Sequence, residues 1–149
     1  MRKEKIEKSY IDTGFGFEVE LVNVPMVEIR GQWTPKINYK ELAEEVLKFL
    51  IQSQDHLTGN HVKFIRHKLS MTLKDFGAQF GVTHAAVKKW EAYGDKPTNM
   101  GISTERDLKL FALQKYFGGK GISRVYKTIM NMHKEAISRV TLDTELALV

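Results

Sequence analysis

The chain has no cysteine among its 149 residues. Disulfide bonds and thiolate metal sites are therefore excluded, and no feature points to an oxidising compartment. A long apolar run is also lacking, so we expect neither a secretory signal nor a transmembrane helix. These absences favour a cytoplasmic protein that has no contact with a membrane.

The five histidines are not spaced as metal ligands are. The sequence contains no His-x-x-x-His pair and no His-Glu-x-x-His motif. Without cysteine, a zinc site would need histidines and carboxylates alone, and they form no cluster at ligand spacing. We therefore expect no metal, no cofactor and no catalytic site, and the chain is not expected to be an enzyme.

Positive charge is concentrated in the second part of the chain, although the net charge is only +5. Residues 1–59 carry a formal charge of −2, residues 60–100 carry +4 and residues 101–149 carry +3. A basic segment of this kind is typical of a protein that binds nucleic acid.

Residues 72–94 have the pattern of two short helices joined by a tight turn. Thr72 and Thr83 are suitable N-caps for the two helices. Gly81 lies where the first helix should end in a left-handed conformation, which glycine adopts without steric cost. Gly77 lies inside a helix, where glycine costs about 1 kcal/mol relative to alanine. The close approach of a second helix would explain it.

The side chains of these two helices divide into an inner and an outer set. The inner set recurs at helical spacing and is apolar: Leu73, Phe76, Phe80, Val87 and Trp90. The outer set of the second helix is small or basic: His84, Ala85, Lys88 and Lys89. A helix with this outer face suits the groove of DNA.

Gly77, Gly81, Val87 and Trp90 follow one another at intervals of four, six and three residues, and Glu91 comes next. With this spacing the segment resembles the Xre/Cro phage-repressor class of helix-turn-helix proteins. Leu73 departs from that pattern, because many members have a Gln there that contacts DNA.

The resemblance implies that the second helix enters the major groove by its N-terminal half. It also implies a structural ion pair between Arg66 and Glu91, and a symmetric homodimer on a palindromic operator of double-stranded DNA. The candidate DNA-binding residues are Thr72, Lys74, Thr83, His84, Ala85, Lys88, Lys89 and Lys96. For His84, a solvated helix residue is the equal alternative.

Residues 1–57 form the first predicted domain, a β-β-α unit. We expect a loose arm over residues 1–9, strands near residues 15–21 and 27–33 separated by a bend at 23–25, and a helix over residues 39–53. The alternation of apolar and polar residues predicts the strands, and an apolar stripe predicts the helix.

Residues 58–118 form the second predicted domain, which contains the helix-turn-helix. Its other helices are expected over residues 60–69 and up to residue 116, the latter capped by Ser103 or Thr104. Residues 119–149 form a C-terminal extension with a helix over residues 122–140. The sequence leaves open whether residues 142–149 are strand, helix or tail. The fold class is thus α+β and mostly helical.

A small β-containing unit followed by this helix-turn-helix resembles the layout of MqsA-like antitoxins. In that family the N-terminal unit binds a toxin, often with zinc held by paired cysteines. Here Tyr10 to Gly14 occupy the comparable place without any cysteine, so zinc is excluded for that mode of binding.

These resemblances predict two alternative functions. The first is a sequence-specific transcriptional repressor that can regulate its own operon; the alternative is an antitoxin whose N-terminal unit sequesters a protein toxin. For the homodimer, the predicted surface is the apolar stripe of Ile122, Val125, Ile129 and Met132. Alternatively, that stripe covers the N-terminal hairpin.

Overall fold

The computed structural model describes residues 3–118, 122–130 and 137–147. Within these ranges the chain is an α+β protein with more residues in helices than in strands, which confirms the predicted fold class. The elements in chain order are β1 (Glu4–Asp12), β2 (Val19–Ile29), β3 (Gln32–Pro35), α1 (Tyr39–Gln52), α2 (Gly59–Lys68), α3 (Leu73–Ala78), α4 (His84–Glu91), α5 (Ile102–Phe117), α6 (Ile122–Met130), β4 (Val140–Asp143) and α7 (Thr144–Ala147).

The chain divides into two compact units. The sheet unit contains Met1–Val46 and Arg139–Val149, and the helical unit contains Leu47–Ser138. This division differs from the predicted domains 1–57, 58–118 and 119–149. The cause is β4, which pairs with β2 and so joins the end of the chain to its beginning.

The sheet unit is organised around β2. Strand β1 pairs with it in antiparallel fashion along one edge. Along the other edge β4 pairs in parallel with the first part of β2, and β3 pairs in antiparallel fashion with the last part. Leu21, Val24, Leu42 and Val46 are completely buried and belong to the core of this unit.

Strand β1 corrects the prediction of a loose arm at residues 1–9. Most of β1 is exposed to solvent and shows no apolar alternation, so its sequence carries no strand signal. The strand forms because β2 offers eight paired positions, from Val19 opposite Asp12 to Val27 opposite Glu4, in a register that skips Lys8 and Asn23.

The predicted bend at residues 23–25 does not end a strand. Asn23 adopts a left-handed conformation, with φ of 56°. Val19 and Leu21 are buried before it, whereas Val24 and Met26 are buried after it, so the buried positions change from odd to even. A left-handed residue inside a strand re-aims the side chains that follow, and β2 continues to Ile29.

The end of the chain, which the sequence left open, forms β4 and α7. Asn23 Nδ2 donates to Asp143 Oδ2 at 2.9 Å. The hydroxyl of Thr144 donates to the carbonyl oxygen of Asn23 at 2.7 Å. These bonds tie the last elements to the middle of β2.

The helical unit contains α2 to α6. Val62, Ile65, Phe76, Val87 and Leu108 are completely buried in its core. Helix α5 begins at Ile102 with Gly101 as its N-cap, two to three residues before the predicted caps Ser103 and Thr104.

Helix α6 corrects the predicted dimer surface. It packs against α5, and Val125 and Ile129 are buried within the chain, at 4% and 0% exposure. They therefore belong to the core of the helical unit. The side chain of Ile122 and the whole of Met132 lie outside the described residues. Helix α6 ends at Met130 within the described ranges, and Val140 belongs to β4.

In the ranges described, no helix combines the length and the apolar character that crossing a bilayer requires.

Candidate nucleic-acid interface

Helices α3 and α4 meet through glycines at their junction. A Cβ atom on Gly77 would lie 2.7 Å from the carbonyl oxygen of Val82, so a side chain there would collide with the backbone that leads into α4. Gly81 adopts a left-handed conformation with φ of 68°, which ends the turn after α3,. These two positions bring the helices close together.

Both helices begin at a threonine cap. The hydroxyl of Thr72 accepts a hydrogen bond from the backbone N–H of Asp75 at 3.1 Å. The hydroxyl of Thr83 accepts one from the N–H of Ala86 at 3.2 Å. Each bond satisfies a donor that the first turn of a helix leaves free, so the start of each helix is fixed.

The two faces of α4 have opposite environments. Val87 is completely buried and Trp90 is 7% exposed, so these side chains anchor the helix in the core. On the other face, His84, Ala85, Lys88 and Lys89 are all exposed.

The remaining candidate residues are exposed as well. Thr72 and Lys74 lie at the start of α3, Thr83 caps α4, and Lys96 follows α4. The structure thus groups four candidates on one face of α4 and leaves the other four on the segments that flank it.

Arg66 and Glu91 form the ion pair that the resemblance implied. Arg66 Nε donates to Glu91 Oε2 at 2.7 Å, and Nη2 donates to Oε1 at 3.0 Å. Both side chains are nearly buried, with 12% and 11% exposure. A third bond joins Arg66 Nη1 to the carbonyl oxygen of Met71 at 3.0 Å. One guanidinium therefore connects α2, the turn before α3, and the end of α4.

The start of α2 also contacts the end of α4, which the sequence analysis did not predict. A Cβ atom on Gly59 would lie 2.6 Å from the carbonyl oxygen of Trp90. The N–H of Gly59 donates to the carbonyl oxygen of Lys96 at 3.2 Å, and that of Asn60 donates to the carbonyl oxygen of Gly94 at 2.8 Å. Gly94 has φ of 63°, a left-handed conformation that glycine adopts without steric cost. The chain around α4 is thus fixed at both ends.

The sequence analysis also did not predict a buried polar network at the start of α5. Glu105 is completely buried and contacts the N–H of Leu57 and Nδ1 of His56. Lys109 is completely buried as well, and its Nζ donates to the carbonyl oxygens of Ser53 at 2.6 Å and Asp55 at 3.1 Å. The network fixes the segment between α1 and α2 against α5.

Burial shifts the pKa values of this network. It raises the pKa of the Glu105 carboxyl above its ordinary value, and it lowers the pKa of Lys109 to about 8. Burial also lowers the pKa of His61 to about 4, and the charge of Lys109 acts in the same direction. Neutral His61 completes the cap of α2, because its Nδ1 accepts from the N–H of Thr58 at 3.0 Å.

A shallow pocket of about 270 Å³ lies at the end of α4. Its lining residues are Lys89, Ala92, Tyr93 and Asn99. Lys89 thus borders a cavity with an aromatic and an amide side chain, which can accommodate a planar or a hydrogen-bonding group beside the exposed face of α4.

The two units differ in charge. The helical unit has 15 Lys and Arg against 7 Asp and Glu, a net charge of +8. The sheet unit has 8 against 11, a net charge of −3. Among the described residues, no three His, Asp or Glu side chains lie together as metal ligands. The exposed basic side chains of α4 therefore lie in the unit with the positive net charge.

No protein-family model, curated protein or solved structure matches this chain.

Proposed function

We propose that the chain is a sequence-specific DNA-binding regulator, a repressor that places α4 in the major groove. The observation that supports this most directly is α4 itself, whose outer face is small and basic while its inner face is anchored by Val87 and Trp90. The positive charge of the helical unit adds an attraction for the phosphate backbone.

The rigidity of α4 supports the same proposal. Reading base edges requires a helix whose side chains are held in place. The Arg66–Glu91 pair fixes the end of α4, and the hydroxyl of Thr83 fixes its beginning.

Each candidate residue has a proposed role. His84 contacts base edges, because the N-terminal half of such a helix enters the groove. Lys89 reaches a base edge with its long, exposed side chain from the last turn of α4. Lys88 and the backbone N–H groups near Thr83 hold phosphate oxygens. The other candidates lie beside this core and contact the flanking backbone and bases: Thr72, Lys74, Ala85 and Lys96.

The target is proposed to be a palindromic operator bound by two copies of the chain. One helix-turn-helix contacts one half-site, and two half-sites about 34 Å apart on one face of the DNA require two units. Autoregulation of its own operon is one form of this function.

Replacing Lys89 with Ala tests the proposal. We expect operator affinity to fall by about 1–3 kcal/mol and discrimination at one base pair of each half-site to relax. Lys63→Ala is the matched control, because Lys63 is an exposed basic residue of α2 outside the proposed set. The measurement is fluorescence anisotropy with the operator and with single-base variants. Equal affinities for the parent and Lys89→Ala would contradict the assignment of α4.

The antitoxin function stays the alternative. The exposed apolar side chains of the sheet unit, Ile6 at 72% and Trp33 at 37%, are the observation that favours a protein partner there. Expression of the chain with its neighbouring gene product, followed by a growth assay, distinguishes the two functions. Growth rescue that persists after Lys88 and Lys89 are replaced with Ala would favour the antitoxin.

A further inference from the structure

Strand β1 has a free edge. It pairs with β2 on one side, and among the described residues no other strand pairs with it. Unpaired strand edges carry rows of N–H and C=O groups that can pair with another chain. Ile6, in the middle of β1, is the most exposed large apolar side chain in the described ranges, at 72%.

The direction of the backbone groups along β1 follows from the register. The N–H of Glu28 donates to the carbonyl oxygen of Lys3 at 3.0 Å. Hydrogen-bonded positions alternate along an antiparallel pair, so Lys3, Lys5 and Glu7 bond to β2. Pro25, which has no N–H, lies opposite Ile6 and fits this alternation. Glu4 and Ile6 therefore direct their backbone groups to the free edge.

The side chains at this edge are self-complementary, and their pairs within one copy, Glu4 with Lys36 at 2.9 Å and Lys5 with Glu7 at 2.7 Å, are exposed to solvent. Residues 4–8 read Glu-Lys-Ile-Glu-Lys. If a second copy pairs in antiparallel fashion around a twofold axis at Ile6, each Glu4 faces the other copy's Lys8, each Lys5 faces the other copy's Glu7, and the two Ile6 side chains meet. In this register the outward backbone groups of the two Ile6 residues are opposite one another, so they can form hydrogen bonds between the copies.

Neighbouring registers are unfavourable. A twofold axis at any one of the four charged residues places that residue opposite the same residue of the second copy. The four are Glu4, Lys5, Glu7 and Lys8. Like charges directly opposite each other destabilise a strand pair, whereas opposite charges stabilise it. Charged residues generally protect a strand edge from pairing. Here the alternating charges disfavour the neighbouring registers and favour the register centred on Ile6.

We infer that β1 is the homodimer interface, and that two copies join their sheets edge to edge through residues 4–8 around Ile6. The expectation of two copies rests on the proposed DNA-binding function, whereas the evidence for this interface is independent of DNA. Such an interface is isologous, the commonest arrangement in homodimers. Five residues per copy form a small interface, so we expect a weak dimer that binding to two half-sites reinforces.

Charge reversal tests the register. Lys5→Glu places a carboxylate opposite the carboxylate of Glu7 in both pairs, and Glu7→Lys places an ammonium group opposite that of Lys5. Each variant alone should dimerise at least about tenfold more weakly than the parent, because two attractive pairs become repulsive. Sedimentation equilibrium without DNA gives the masses. Lys40→Glu, a reversal at an exposed residue of α1, should keep the parent's dimer.

Mixing the two variants is the decisive step. A chain with Lys5→Glu and a chain with Glu7→Lys have complementary charges at both pairs, so an equimolar mixture should recover a dimer with one copy of each. Loss of a contact within one chain cannot produce this recovery. A parent that stays monomeric at every concentration, variants that dimerise like the parent, or a mixture that stays monomeric would each overturn the inference.

A second variant tests the interface without changing any charge. Ile6→Pro deletes the outward N–H at the centre of the interface, and proline is tolerated on edge strands when its N–H would face outward. This variant should be folded and monomeric, and amide exchange at Glu4 should be faster than in the parent. A dimer formed by Ile6→Pro as strongly as by the parent would contradict the interface.

DNA binding separates this inference from the proposed function. The monomeric variants should bind a single half-site as the parent does and bind the full palindrome more weakly. If no form binds a half-site while the sedimentation results hold, the DNA-binding proposal fails and the interface stands. If half-sites are bound but the parent never dimerises, the interface fails alone.

Discussion

The ion pairs of the sheet unit and of the helical unit differ in their exposure to solvent. In the helical unit, Arg66 and Glu91 are 12% and 11% exposed and share two hydrogen bonds. In the sheet unit, Lys36 and Glu4 are 63% and 60% exposed and share one contact at 2.9 Å. A nearly buried pair fixes a helix in place, whereas an exposed pair contributes little to stability. The helical unit thus uses charge to hold α4, and we propose that it also uses charge to attract DNA.

Loss of one partner of the Arg66–Glu91 pair is expected to have the largest effect. Arg66→Ala or Glu91→Ala should lower the free energy of unfolding by about 3 kcal/mol, because one charge is left nearly buried without its partner. Replacing both should cost less than the sum of the two single changes. Denaturant unfolding of the four chains measures the coupling. A coupling of zero would show that the pair does not hold α4.

Acidification should destabilise the helical unit through His61. Its pKa is about 4 in the folded chain and about 6.5 in the unfolded chain,. The unfolded state therefore binds more protons between these values, and the stability contributed by neutral His61 is lost as pH falls from 6.5 to 4, by about 3 kcal/mol.

His61→Gln isolates this effect, because glutamine keeps the capping position and does not titrate. The raised pKa of Glu105 acts in the opposite direction, but it is present in both chains. Denaturant unfolding at several pH values should show a steeper loss for the parent than for His61→Gln. Parallel profiles would contradict the role of His61.

Gly77→Ala tests the close contact between α3 and α4. The added Cβ would lie 2.7 Å from the carbonyl oxygen of Val82, so the helices must separate, at a cost of about 1–3 kcal/mol. At Gly101, the N-cap of α5, a Cβ would meet nothing within 4 Å, so Gly101→Ala serves as the comparison and should cost only the weaker capping preference of alanine. Thermal unfolding compares them. Similar melting temperatures for both variants would show that the junction can adapt.

The exposed pair of the sheet unit should show the smallest effect. Lys36→Ala is expected to leave the free energy of unfolding nearly unchanged, since water solvates both charges. High salt should change the stability of the parent and of this variant equally. A loss comparable to that of Arg66→Ala would remove the difference between the two units.

The helical unit could be predicted largely from sequence because its signals are local. Thr72, Thr83 and Gly81 mark the ends of helices through bonds and backbone angles within a few residues. The Arg66–Glu91 pair came from the family resemblance and is present in the structure. The buried Glu105 and Lys109 were missed because charged residues are almost always exposed, and only their distant partners explain them.

The sheet unit could be predicted only in part. Helix α1 (Tyr39–Gln52) agrees with the helix expected over residues 39–53, whereas most of the strand pairing was not predicted. Strand β4 pairs with β2 across about 120 residues of chain, and no short pattern encodes such a contact. Strand β1 lacks apolar alternation, and Asn23 reverses the alternation of β2 without a glycine to signal it. The predicted dimer stripe on α6 was wrong because an apolar helix face indicates burial but not the partner, which here is α5.

The most direct test of the proposed function is selection of bound sequences from random double-stranded DNA, with the parent and with a chain carrying Lys88→Ala and Lys89→Ala. We predict that the parent enriches a palindromic motif whose half-sites lie about one helical turn apart, and that its affinity falls steeply with salt. The double variant should enrich nothing, although it remains folded. A parent that enriches no motif, or a double variant that enriches the same motif, would contradict the proposal that α4 reads DNA.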